Sequence, residues 1–456
     1  MAPRIDHADI QGDILRAYGD SYARTSYIFL SVGDAAAGRA WLSERVGQVT
    51  TAVDLPAAKR PEATLNIAFT SAGLAALGLP AATIATFSDE YNEGMAGRAA
   101  ELGDVGASAP DQWDSKLGTG KAHVLVTINA RSETALDDAL AALKNGLDAA
   151  GLSIAHEEHA QLLPGKREHF GFADGFAQPA LEGASEHKVR GGGVPEEDGW
   201  RPLALGEFIL GYEDEESRTD PQRRLPSAPA DPLGSHGTYM IWRKLHQDVA
   251  LFRRTLREAS ELYEGGDEEL LAAKVVGRWR SGAPLVTNPA DTPAQFDARA
   301  DGANDFRYRP GDTDGHRCPL GAHIRRSNPR DALGFDGKLT FRHRIIRRGM
   351  PYGPELDPAS DEDDGTPRGL VFVCFNASIS RQFESIQRQW LEDGNVFGLG
   401  EDTDFLLGAK TGKMTIPGAT PFFLAPQGPF VTTRGGEYLF VPGITALAAI
   451  ADGVGG

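Results

Sequence analysis

The sequence predicts an α+β fold divided into two units. Three observations carry this. Short strand-like segments mix with helical ones without the regular alternation of a parallel α/β protein. The mixture runs through both halves of the 456 residues, a length that suits two domains. Between the halves lies Glu213–Pro232, an acidic cluster (Glu213–Glu216) followed by Pro221, Pro226, Pro229 and Pro232, which reads as a surface linker. The expected units are residues 1–225 and 226–456.

In the first half, Ser26–Val32, Leu65–Phe69, Ala122–Ala130 and His159–Leu163 read as strands. Each is short, β-branched or aromatic, and bounded by Gly, Pro or polar residues. Ala36–Val49 and Glu133–Leu147 read as helices. Ser132 can cap the second, with Leu136, Leu140, Leu143 and Leu147 as its apolar stripe. In the second half, Gly237–Trp242, Leu339–Arg347, Gly369–Phe375 and Glu437–Val441 read as strands. Arg243–Tyr263, with Leu245, Val249, Phe252 and Leu256 in a stripe, and Ser378–Asp393 read as helices.

The formal net charge of −18 argues against nucleic acid and anionic membranes as partners. No apolar run approaches the ~20 residues of a spanning helix. The N-terminus shows no apolar signal core and no twin arginine, so a cytoplasmic protein is expected. Cys318 and Cys374 sit in apolar or tightly turned settings and are expected as buried thiols. Nothing in the sequence excludes an oligomer.

Three segments place ionisable groups among apolar or small residues. In His169–Pro179, Asp174 precedes Gly175 and neighbours Phe170, Phe172 and Phe176, with Gln178 following. Such a carboxylate is expected to be desolvated, with a raised pKa suited to proton transfer. Gly175 lets backbone approach a ligand. In Arg317–Arg330, His323 follows small and apolar residues and meets a basic stretch. A neutral imidazole there suits haem iron, and the neighbouring arginines suit its propionates. In His343–Gly353, Arg347 ends a strand before a Gly-Met-Pro turn, where a guanidinium can stabilise negative charge. Each has a plainer reading: an Asp-Gly turn, a packed histidine and a surface arginine. His169, His316 and His343 compete with His323.

Together the three segments resemble the dye-decolourising peroxidases. Gly171-Phe-Ala-Asp174-Gly175 is similar to that family's Gly-x-x-Asp-Gly signature. Cys318-Pro-Leu-Gly-Ala-His323-Ile-Arg resembles its haem-ligand segment, and Ile346-Arg347-Arg348-Gly-Met-Pro-Tyr-Gly its distal arginine segment. Gln11–Arg16 and Gly206–Tyr212 extend the likeness over most of the chain, and its length resembles the larger intracellular bacterial members. The resemblance implies two ferredoxin-like domains with antiparallel sheets, a dimeric α+β barrel arrangement, with haem b held mainly by the second. It implies His323 as iron ligand and Asp174 and Arg347 as catalytic groups acting on hydrogen peroxide. Gly175, Phe176, Gln178, Arg330, Leu370 and Phe372 would line the cofactor, with Arg330 at a propionate and Leu370 and Phe372 as an apolar wall. Glu384 is the expected acceptor for the second ring N–H of His323. Dyes, phenols and manganese(II) are the expected donors, the last because of the acidic loop Asp361–Asp364. Trp390, Trp242, Tyr308 and Tyr352 are conceivable electron relays, each also readable as a packing aromatic. The alternative function is a haem carrier, sensor or iron-releasing protein without peroxidase turnover.

Overall fold

The computed structural model describes residues 5–18, 21–184, 190–197, 199–217, 229–290, 296–297, 300, 303–408, 413–425 and 427–453. In chain order the strands are β1 (Arg24–Val32), β2 (Ala63–Phe69), β3 (Val124–Ala130), β4 (Leu152–Gln161), β5 (Val194–Glu196), β6 (Gly199–Arg201), β7 (Thr238–Gln247), β8 (Ile346–Arg347), β9 (Met350–Tyr352), β10 (Gly369–Asn376), β11 (Met414–Ile416), β12 (Phe422–Leu424) and β13 (Val431–Val441). Nine of them form one sheet in the order β4-β1-β3-β2-β13-β7-β10-β8, with β9 also on β10. Every pairing in it is antiparallel. Each half repeats one rule: its fourth strand, then first, third and second. That is the expected ferredoxin-like order, twice.

The halves are joined rather than merely adjacent. β13, the last strand, pairs with β2 of the first half at Phe440 and Phe69. The final helix, Ile444–Asp452, packs on the helix Ala35–Val46 of the first half. β9 lies against β4, so the sheet curls towards a barrel. Its interior holds Trp242 edge-on to Tyr27 and Phe29, with ring centroids 5.9 and 5.0 Å away. Lys244 there bridges Asp114 and Glu158 at 2.8 and 2.5 Å.

Local chemistry explains the helices. Ser132 caps Glu133–Lys144 by accepting from Ala135 N–H, and Leu136, Leu140 and Leu143 are buried. Asp248 and Asp267 cap Val249–Ser260 and Glu268–Val276 in the same way. These two helices cover a second apolar core containing Phe170, Phe252, Leu271, Phe306 and Phe405, and that layer carries His323. No helix among the described residues is long and apolar enough to cross a membrane.

Several boundaries differ from expectation. Arg243–Gln247 is strand, not helix: Leu245 fits a helical stripe, but β7 is paired on both sides, by β13 and β10, and ladder formation wins. Leu339–Arg347 is mostly tight turn, with strand only at Ile346–Arg347. β4 starts at Leu152, further back than its polar residues suggested, because His156 and Glu158 point into a buried interior. Asp214 and Glu215 are buried rather than on a surface linker. Arg342 and Arg381 bind Asp214, and Arg201 binds Glu215. The boundary expected at 225–226 lies outside the described residues.

Candidate active site

The loop after β4 is pinned before it reaches Asp174. The Glu168 carboxylate accepts from Phe170 N–H and Phe172 N–H, both at 2.9 Å, and from Gln247 Nε2 at 2.7 Å. Gly171 takes φ +94°, and a Cβ there would meet Arg280 Nη1 at 2.6 Å. Only glycine suits that position. Phe170 stacks on Phe252, and Phe172 lies under Arg280. These rings therefore serve the second core instead of enclosing Asp174, as the sequence suggested. Phe176 lies under the Arg278 guanidinium, 4.9 Å from its ring centroid.

Arg347 is delivered by β8, opposite Cys374 of β10. Its Nη1 donates to Asp174 Oδ1 at 2.9 Å. Arg348 points the other way and donates to the carbonyls of Asp13 and Ile14, as strand alternation requires. Gln178 was expected to touch the cofactor. Its side-chain oxygen accepts from Arg347 N–H and its amide donates to the Arg347 carbonyl, both at 3.0 Å. That clamp fixes the backbone from which the guanidinium springs. Gln178→Ala should leave the Arg347 N–H unpaired and its carbonyl with Arg348 Nη1 alone, and cut peroxide turnover by about tenfold. Steady-state kinetics with the fold checked by circular dichroism would measure this.

The Asp174 and Arg347 side chains are 39% and 34% exposed. Burial pushes the Asp174 pKa up, but Arg347 and the Gly175 N–H outweigh it and hold the carboxylate below its ordinary value. The expected rise, argued from burial alone, gives way to the Arg347 charge. Gly175 has φ +82°, and a Cβ there would meet open space. Leu370 and Phe372 share the Arg347 face of β10 and are half-buried, whereas Val371 and Val373 on the other face are buried.

His323 begins a short helix, His323–Ser327, and lies close enough for the charges of both Asp174 and Arg347 to act on it. Its Nδ1 lies 3.0 Å from Asp404 Oδ2. Asp404 is fully buried, and its other oxygen accepts from Leu406 N–H and Leu407 N–H. The carboxylate is anchored on three sides. Burial lowers the His323 pKa, but Asp404 outweighs it and raises it.

Glu384 does not reach His323. It binds Arg98 at 2.5 Å and the Tyr438 hydroxyl at 2.8 Å, on the helix Ser380–Leu391, where the bond from Glu384 N–H to the Ile379 carbonyl spans five residues. Asp404, not Glu384, is the acceptor. The sequence carried a signal for it: an aspartate leading the apolar run Phe405-Leu406-Leu407, the pattern of a side chain capping its own following amides.

The arginines beside His323 are also reassigned. Arg325 pairs with Asp312 at 2.9 Å, both 1% exposed. Arg326 donates to the carbonyls of Trp390 and Asp402. Neither is free for a propionate. Arg330 stacks on Phe306 at 3.8 Å and lines a small cavity with Arg344, a residue the sequence reading missed. The Arg344 guanidinium has no hydrogen-bonding partner among the described residues. Burial, with Arg330 and Arg347 nearby, pushes its pKa down to about 9. Such a cation calls for an anion.

Of the competing histidines, His316 is exposed and the other two are engaged elsewhere. His169 Nε2 contacts the Tyr352 carbonyl, and burial pushes its pKa down to about 4. His343 contacts the Arg381 carbonyl and packs edge-on to Trp390. Trp390, Trp242, Tyr308 and Tyr352 are all buried. In the acidic loop, Asp361 pairs with Arg257 and Asp364 with Arg368. Among the described residues no three His, Cys, Asp or Glu side chains gather as a metal site.

The donor set fits haem. One face offers an imidazole whose Nε2 is left free by the Asp404 contact. The other offers a carboxylate–guanidinium pair, with apolar Leu370 and Phe372 on its side of the sheet. Arg344, whose guanidinium has no partner among the described residues, and Arg330, which keeps one guanidinium nitrogen on the Asn304 and Phe306 carbonyls, match two propionates, and the space before Gly175 is open.

Comparison with known proteins agrees. The model of the DyP dimeric alpha+beta barrel domain matches residues 9–161, and that of the Dyp-type peroxidase C-terminal region matches residues 204–401. Peroxidase 2 of Mycetinis scorodonius is 31% identical over 96% of this chain and 86% of its own length. A multifunctional dye peroxidase of Amycolatopsis sp. is 30% identical over 97% of this chain and 95% of its own. The crystal structure of a fungal DyP-type peroxidase from Auricularia auricula-judae superposes with a TM-score of 0.82 at 27% identity, covering 99% of this chain and all of that one. Fungal and Amycolatopsis relatives match about equally well, which does not single out a bacterial subtype. This chain belongs to the DyP-type peroxidase family and is a haem-dependent peroxidase.

Proposed function

We propose that the chain reduces hydrogen peroxide with electrons from phenolic or dye donors, using His323 as iron ligand and Asp174 and Arg347 as its peroxide-handling pair. The observation that carries this is the Asp174–Arg347 contact within electrostatic reach of His323, whose Nδ1 is held by Asp404. Haem, when bound, supplies the redox chemistry. The protein supplies ligand, proton and charge. Asp404 accepts the Nδ1 proton bond, which fixes the tautomer and strengthens Nε2 as a ligand. Asp174, held ionised by Arg347, takes a proton from the inner peroxide oxygen and returns it to the outer one. Arg347 stabilises the negative charge that develops as the O–O bond breaks. Arg330 and Arg344 would hold the propionates. A related dye-decolourising peroxidase has been solved with 2,6-dimethoxyphenol, which supports phenols as donors.

The test is the visible spectrum of the haem-loaded protein before and after one equivalent of hydrogen peroxide, with His323→Ala beside it. A Soret band that shifts with peroxide, and is lost or displaced in the variant, is expected. A band indifferent to peroxide would replace this reading with that of a haem carrier.

A further inference from the structure

A cleft of about 520 Å³ is lined by Val286, Asp305, Phe306, Arg307, Gly311 and Arg317, among others. Its size suits one small organic molecule. None of Asp174, Arg347 and His323 lines it, so it is separate from the peroxide recess. Its wall is apolar at Val286 and Phe306, both 5% exposed. Arg307 and Arg317 are exposed, and neither guanidinium has a hydrogen-bonding or ion-pair partner among the described residues. The Arg317 head lies over Gly311, where an added Cβ would sit 3.5 Å from Nη1. The one carboxylate among the described lining residues, Asp305, is already committed to Arg190 at 2.7 Å and to Trp200 Nε1 at 2.9 Å. In a chain of net charge −18, two unmatched guanidiniums beside an apolar wall form a local positive site.

We propose that this cleft binds an aromatic anion, a carboxylated or sulfonated aromatic molecule, with its ring against Phe306 and its acid group between Arg307 and Arg317. That such a molecule is an electron donor rests on the peroxidase reading above; the binding site does not. The position suits a donor. The Phe306 ring is stacked by Arg330 at 3.8 Å and Arg278 at 5.3 Å, and Arg278 also covers Phe176. One layer of side chains thus separates the cleft from the Arg330 and Phe176 side of the recess. Each phenolic donor would lose one electron and one proton. Two of them balance one hydrogen peroxide reduced to two waters.

A matched pair of probes isolates the acid group: 2,6-dimethoxyphenol and syringate, the same ring carrying a carboxylate. Binding to the haem-loaded protein is measured calorimetrically without peroxide, and turnover is then measured with it. Syringate should bind more tightly than the neutral phenol, and the advantage should shrink severalfold between low and physiological salt. R307E/R317E should weaken syringate binding and raise its KM by about tenfold or more, and R307Q/R317Q by less. The KM for 2,6-dimethoxyphenol and the reaction with peroxide should stay unchanged. Equal syringate affinity in wild type and both variants would overturn the proposal. Arginine-dependent syringate binding without any peroxide turnover would uphold the site while removing the donor role.

Discussion

Asp174→Asn is expected to slow the reaction with hydrogen peroxide by roughly 10²–10⁴-fold, the range for losing a positioned acid–base group. The substitution keeps size and shape, so the recess should persist and haem should remain bound. The amide cannot accept the peroxide proton, and it weakens the 2.9 Å contact to Arg347. Stopped-flow absorption at the Soret band reads the bimolecular rate directly. A loss below threefold would remove Asp174 from proton transfer. The same pair sets the acid limit of activity. With Arg347 present, the Asp174 pKa lies below its ordinary value. The carboxylate stays ionised as pH falls through the usual aspartate range, and activity that needs it is lost only below that. Arg347→Ala removes the main opposing charge and leaves the upward push of burial. The acid limb of the pH–rate profile should then move to higher pH, in addition to a drop in maximal rate. An unmoved acid limb would show that another group sets it.

Asp404→Ala should weaken haem binding by about 10–100-fold, the usual cost of losing the partner that orients a metal-binding histidine. The effect should be large because Asp404 has no exposed surface and both carboxylate oxygens are engaged. Its removal frees the His323 ring and leaves two backbone N–H groups unpaired. Glu384→Gln, the substitution a reading of sequence alone would choose, should leave haem affinity nearly intact. Equilibrium transfer of haem to an apo-globin acceptor compares the two variants. Comparable losses in both would contradict the assignment of Asp404.

What the sequence disclosed follows what local patterns can encode. That Asp174, His323 and Arg347 come together was legible because each sits in a short string of unusual composition. The capped helix Glu133–Lys144 was legible because its cap and stripe are local. The pairing of Asp404 with His323 was not, because it depends on a loop 81 residues away meeting that ring in space, although the capping pattern at Asp404 itself is local. Arg344 escaped for a related reason: a cation without an anion is visible only when its surroundings are. Arg325 and Arg326 misled because a basic run next to a histidine looks solvated, whereas Asp312 and two carbonyls draw these side chains inward. The pKa of Asp174 was misjudged in sign for the same reason. Neighbours in the chain suggested a greasy pocket, and neighbours in space supplied a guanidinium.

The join between β2 and β13 has a consequence for how the chain is made. Phe69 leaves the ribosome early, yet its partner Phe440 follows almost a whole chain later. At about 5–20 residues per second, the Phe69 end of β2 waits roughly 20–70 s for it. The rest of that edge is covered from within the first half, by Thr50 on Leu65 and by Gln11 on Ile67. Through the same interval the helix Ala35–Val46 lacks Ile444–Asp452. Contacts this distant in sequence form slowly, so the first half orders its own edge early and the seam to the second half is set late.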